Sequence, residues 1–81
     1  MRMLDEMSNR SISSLTLLLE KAEAIQLIGY LEDLVSVESI KSGHYHLNND
    51  DYSKEITVAL YDVSSLENFS DRYKLLITKD K

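Results

Sequence analysis

His44 and His46 are the residues whose type and spacing most readily suggest chemistry. On a β-strand, positions i and i+2 share a face, so imidazoles at this spacing can reach one ligand. Asp50 and Asp51 follow a few residues on and add carboxylates. A metal site needs three or four ligands in defined geometry. Two histidines fall short of that, so no metal and no other cofactor is assigned, and contact with a partner is the preferred role. Glu32-Asp33 and Asn49-Asp50-Asp51 are further acid clusters. Paired carboxylates do acid/base work when a buried setting drives their pKa values apart, whereas these sit at a helix end and at a turn tip, both solvated places. Ser64 and Ser65 have no base beside them, as a serine nucleophile requires. The two glycines form no phosphate-cradling loop. No catalytic set is assigned, and a non-enzymatic protein is expected.

The elements that position these residues are organised around residues 15–34, LTLLLEKAEAIQLIGYLEDL. Leu15, Leu17 and Leu19 alternate with Thr16 and Leu18, the period of a strand. From Glu20 the period changes. Ile25, Ile28 and Leu31 recur at three-residue steps with Leu27 and Leu34 alongside, which predicts an amphipathic helix. Glu20 and Glu23 suit the positive end of its dipole. Gly29, internal to that helix, is expected to allow close packing against a strand.

Residues 35–42 predict an irregular link or a small extra strand through Val35, Val37 and Ile40. Residues 44–47 and 55–61 predict a β-hairpin around the turn cluster Asn48-Asn49-Asp50-Asp51, with Tyr45 and Leu47 turned to the core. Ser64 and Glu67 stand at capping-box spacing and predict a short helix. Residues 73–78 predict a last strand, with Tyr73, Leu75 and Ile77 on one face.

The resulting order is strand, helix, strand, strand, short helix, strand. This is an α+β, ferredoxin-like arrangement: an antiparallel sheet with one main helix on one face. One helix over a plain β-meander is the alternative. Residues 1–10 are expected as a partly ordered arm and residues 11–81 as a single α+β domain. The uncovered sheet face would carry Leu18, His44, His46, Tyr61 and Leu76, an apolar patch with a polar rim suited to a protein partner or a second copy.

Composition narrows the partner. The chain holds 14 acidic residues against 9 Lys and Arg, a net charge of −5. That balance opposes binding to nucleic acid and to anionic membranes; it permits a basic protein partner and equally serves solubility. The absence of cysteine removes disulfides and thiolate chemistry. No apolar run has the length of a membrane span, and the first ten residues lack the apolar core of a secretion signal. A cytoplasmic location is expected.

The leucine-rich strand expected at residues 15–19, Glu23-Ala24-Ile25 in the helix, residues 43–47 (GHYHL) and the strand EITVALY together resemble a small α+β family of predicted immunity proteins of bacterial polymorphic toxin systems. The resemblance spans residues 11–78. It implies a protein that binds and neutralises a cognate toxin, for which an acidic surface suits a basic target. The partner-binding residues expected on the residue reading are Leu18, His44, His46, Tyr61 and Leu76 on the open face and Asp50 and Asp51 in the turn. A homodimeric regulatory or small-ligand-sensing domain is the alternative.

Overall fold

Two short antiparallel hairpins and two helices follow one another as β1 (Leu4–Asp5), β2 (Arg10–Ser11), α1 (Lys21–Ser36), β3 (His44–Asn48), β4 (Glu55–Ala59) and α2 (Asp71–Lys79). The computed structural model describes residues 1–36 and 43–81, so the expectations for Val37 and Ile40 lie outside the described residues. The protein is α+β in class. It divides into two compact units, Leu18–Tyr61 and the pairing of Met1–Leu17 with Asp62–Lys81.

The unit Leu18–Tyr61 is α1 packed on the β3–β4 hairpin. α1 starts where the Glu20 N–H donates to Glu23 Oε1 at 2.8 Å, one half of a capping box. Its inward line is half-buried Leu27 and Tyr30 and buried Leu34, spaced three and four residues apart as one helix face requires. The hairpin pairs His44 with Ala59, Tyr45 with Val58, His46 with Thr57, Leu47 with Ile56 and Asn48 with Glu55. Tyr45, Leu47, Ile56 and Val58 turn toward the core, while His44, His46, Glu55, Thr57 and Ala59 turn to solvent. The strand alternation therefore behaves as expected. Tyr30 stacks face to face on Tyr45, with centroids 4.7 Å apart and planes 5° apart, and fixes which edge of α1 meets the hairpin.

That choice corrects the expected helix stripe. Ile25 and Ile28 are 58% and 55% exposed, and Val35 is 74% exposed. The apolar residues of α1 cover a wider arc than one face, and a ribbon of two strands about 4.8 Å apart is too narrow to cover all of it. Gly29 is corrected as well, because a Cβ there would meet nothing within 4 Å. It is not a close-packing site.

The other unit brings both ends of the chain together. In residues 5–9, Asp5 Oδ1 accepts from the Met7 N–H at 3.0 Å and Asp5 Oδ2 from the Ser8 hydroxyl at 2.8 Å. Asn9 takes a left-handed φ of 58°, a conformation asparagine tolerates, and its N–H returns to the Asp5 carbonyl. This turn pairs β1 with β2. Residues 1–10, expected as an arm, thus carry an ordered hairpin turn. The Ser11 hydroxyl donates to the Asp80 carbonyl and the Arg2 Nε to the Ile77 carbonyl. Arg72 donates to the Asn9 carbonyl and side chain and to the Lys81 carbonyl. The Tyr73 hydroxyl donates to Glu6 at 2.9 Å. Leu76 and Ile77 are the buried apolar pair of this unit.

The ferredoxin-like strand order does not form among the described residues. Residues 15–19 are neither strand nor helix and are exposed; their alternation names faces but supplies no neighbour to pair with. Residues 73–78 lie inside α2, not in a strand. Ser70 caps that helix by accepting from the Tyr73 N–H, and Asp80 ends it in a left-handed conformation with its N–H on the Leu76 carbonyl. A run as short as Leu75-Leu76-Ile77 fits either period, so the caps decide. The short helix expected from Ser64 is absent. The Asp62 carboxylate takes the Ser64 N–H and hydroxyl at 3.0 and 2.8 Å, and residues 62–69 form turns.

Candidate functional site

The β3–β4 hairpin presents the residues with functional character: two histidines on its outer face and a polar turn at its tip. The pairing that turns Tyr45 and Leu47 inward necessarily turns His44 and His46 outward. Their rings meet edge to face with centroids 5.0 Å apart. His46 Nδ1 lies 2.9 Å from Glu55 Oε1 and 2.8 Å from Thr57 Oγ1. With its proton on Nδ1, His46 donates to this pair of acceptors and presents Nε2 as an acceptor. Among the described residues no three His, Cys, Asp or Glu side chains gather as a metal-holding group.

The turn, residues 49–54, is built by its own side chains. Asn49 Oδ1 accepts from the Lys54 N–H, Asn49 Nδ2 donates to the Ser53 hydroxyl, and the Tyr52 N–H donates to the Asn49 carbonyl, each at 3.0 Å. Asp51 Oδ1 accepts from the Ser53 N–H. Hydrogen bonds from the Ser53 side chain and then its backbone hold the Asp51 carboxyl below its ordinary range. Asp51 is thereby a structural member of the turn. Tyr52 carries a φ of 58° and is 77% exposed. Left-handed backbone costs a side-chain-bearing residue roughly 1–2 kcal/mol, and here the turn's hydrogen bonds hold it in place.

Beside this turn lies an open hollow of about 330 Å³. Gln26 and Tyr30 of α1 form one side, and His46 and Asn48 of β3 another. Asn49, Asp50 and Tyr52 close it from the turn. Gln26 Nε2 donates to the Tyr30 hydroxyl at 2.6 Å, which leaves the Gln26 amide oxygen as an acceptor. Among the described residues none donates a hydrogen bond to the Asp50 carboxylate.

The structure brings His46 and Asp50 to one hollow and puts His44 beside His46. Asp51 stays exposed in the turn. Tyr61 is half-buried just past the end of β4. Leu18 is 91% exposed ahead of α1 and belongs to no sheet. Leu76 is corrected outright: it is buried in α2, in the other unit, and lies on no sheet face. Sequence reasoning missed Gln26, Tyr30, Asn48 and Tyr52 as neighbours of His46 and Asp50. Tyr52 sits immediately after the Asn-Asn-Asp-Asp cluster, so an aromatic ring at a turn tip was there to be read. The Gln26–Tyr30 edge of α1 depends on how the helix rotates on the hairpin, which no local pattern discloses.

No protein-family model, no curated protein and no solved structure matches this chain. Among the described residues no helix is long and apolar enough to cross a membrane.

Proposed function

We propose that this chain is a non-enzymatic protein-binding module of the bacterial cytoplasm, an immunity- or antitoxin-like protein that binds and neutralises a cognate toxin. The observation that carries the reading is the uncovered edge of α1. Ile25, Ile28, Leu31 and Val35 recur at steps of three and four along one side of the helix and are all exposed. Burying a large aliphatic side chain contributes about 1.5–3 kcal/mol, so this edge gains from any protein that covers it. The outer hairpin face with His44 and His46, and the turn with Asp50 and Asp51, add exposed polar groups on the same unit. A net charge of −5 favours a basic partner by steering and complementarity.

The test is capture of the partner by the tagged chain, followed by expression of the captured protein alone and with this chain. A basic protein that leaves as salt rises, arrests growth alone and is silenced by co-expression supports the reading. Ile25→Asp with Ile28→Asp should keep the helical signal and lose the partner. The same apolar edge is also able to pair with itself, so a homodimeric regulator is the second reading. Recovery of the chain alone, at twice its mass on a sizing column, would select it.

A further inference from the structure

We propose that the hollow beside the β3–β4 turn anchors one cationic side chain, an arginine in first place, presented by the protein that docks on this module. The inference rests on the partner-binding reading and adds what the hollow takes from that partner.

The lining decides the class of ligand. Among the described residues no lysine or arginine borders the hollow, so a phosphate or sulfate finds no described side-chain cation there except a protonated His46. Asp50 contributes a carboxylate that no described residue hydrogen-bonds. Asn48 and Gln26 contribute amide oxygens, and one of the two Gln26 N–H groups is already engaged by Tyr30. A guanidinium carries five N–H donors and no acceptor, which suits one carboxylate accompanied by amide oxygens.

Two aromatic residues give the hollow its shape. Tyr30 is clamped on Tyr45 at 4.7 Å, so that side stands before any ligand arrives. Tyr52 is held at a left-handed φ with its ring exposed at the border of the hollow. An exposed ring on a constrained backbone offers a flat face to a planar cation. A neutral sugar would use the same amides and ring but would leave the Asp50 charge unanswered. The chain's net charge of −5 acts in the same sense by drawing basic surfaces toward it.

The experiment is a titration of the full chain, followed by backbone and side-chain amide resonances, with N-acetyl-arginine amide as probe. The citrulline analogue, which has the same shape without the charge, and glucose are run beside it. The arginine probe should shift the amides of Asp50 and Tyr52 and the side-chain amides of Gln26 and Asn48, and added salt should reduce the effect. Asp50→Asn and Tyr52→Ala should each weaken binding about threefold or more. If Tyr52→Ala disturbs the turn, Asp50→Asn still tests the charge. Silence at those resonances, equal shifts from citrulline, or a response to glucose in place of arginine would each overturn the proposal. Partner capture that survives both hollow variants but not the α1 variant would also overturn it and leave the partner reading intact. Arginine binding with no partner recovered would leave the hollow standing and sink that reading instead.

Discussion

α2 and α1 meet their surroundings in opposite ways. α2 spans Asp71–Lys79, is capped at both ends by Ser70 and Asp80, and buries its apolar pair Leu76 and Ile77. Arg72 and Tyr73 on the same helix reach back to Asn9 and Glu6, so its polar side is engaged too. α1 spans Lys21–Ser36 and buries Leu27, Tyr30 and Leu34 at least in part, yet leaves Ile25, Ile28 and Val35 largely in water. A helix matched to its neighbours serves the fold. A helix with more apolar surface than its hairpin covers has surface to offer elsewhere.

Leu76→Ala is the substitution that tests this contrast most severely. It should destabilise the protein by about 2–3 kcal/mol, read by urea unfolding, because a buried leucine leaves a cavity. Ile28→Ala, the same loss of methyl groups on the open edge of α1, should cost less than about 0.5 kcal/mol. Equal costs for the two would mean that the α1 edge is covered in solution and that the contrast is false.

Ser70→Ala should destabilise by about 1 kcal/mol through the lost cap on α2, visible as a lower urea midpoint. Gly29→Ala should act in the opposite direction on α1. A Cβ there meets nothing within 4 Å, so alanine should add about 0.5–1 kcal/mol through helix propensity, and a lower melting temperature would show that something packs there after all.

The smallest effect is alkaline. The hydrogen bond to Glu6, with burial second, raises the Tyr73 phenol above its ordinary 10.0. A pKa raised in the folded state contributes stability that is whole below the unfolded value and is lost as pH rises through the folded one. Tyr73→Phe should therefore be slightly less stable than the parent at neutral pH, and the difference should close as pH rises through the folded value. The check is unfolding midpoints of both proteins measured across that range. At the acid end, Asp5 is held below its ordinary range by the Ser8 side chain and then by the Met7 and Ser8 N–H groups. Its contribution is present above the unfolded value of 3.8 and is lost as pH falls through the folded one.

The sequence by itself determined the hairpin. Alternation in residues 44–47 and 55–59, with Asn and Asp between, dictates two strands, their inner and outer faces and the exposure of both histidines, because all of that follows from a period of two and a turn. It determined that α1 is a helix, since a long periodic stretch admits no other period. Only the tertiary structure decided the rest. Leu75-Leu76-Ile77 is too short to choose between periods, and the choice came from Ser70, Asp80 and the ties of Arg72 and Tyr73 to distant residues. Residues 15–19 read as a strand but have none to pair with. Which edge of α1 is buried was decided by Tyr30 against Tyr45, a contact across the fold. That same rotation of the helix assembles the hollow around His46 and Asp50 and leaves Ile25 and Ile28 in solvent.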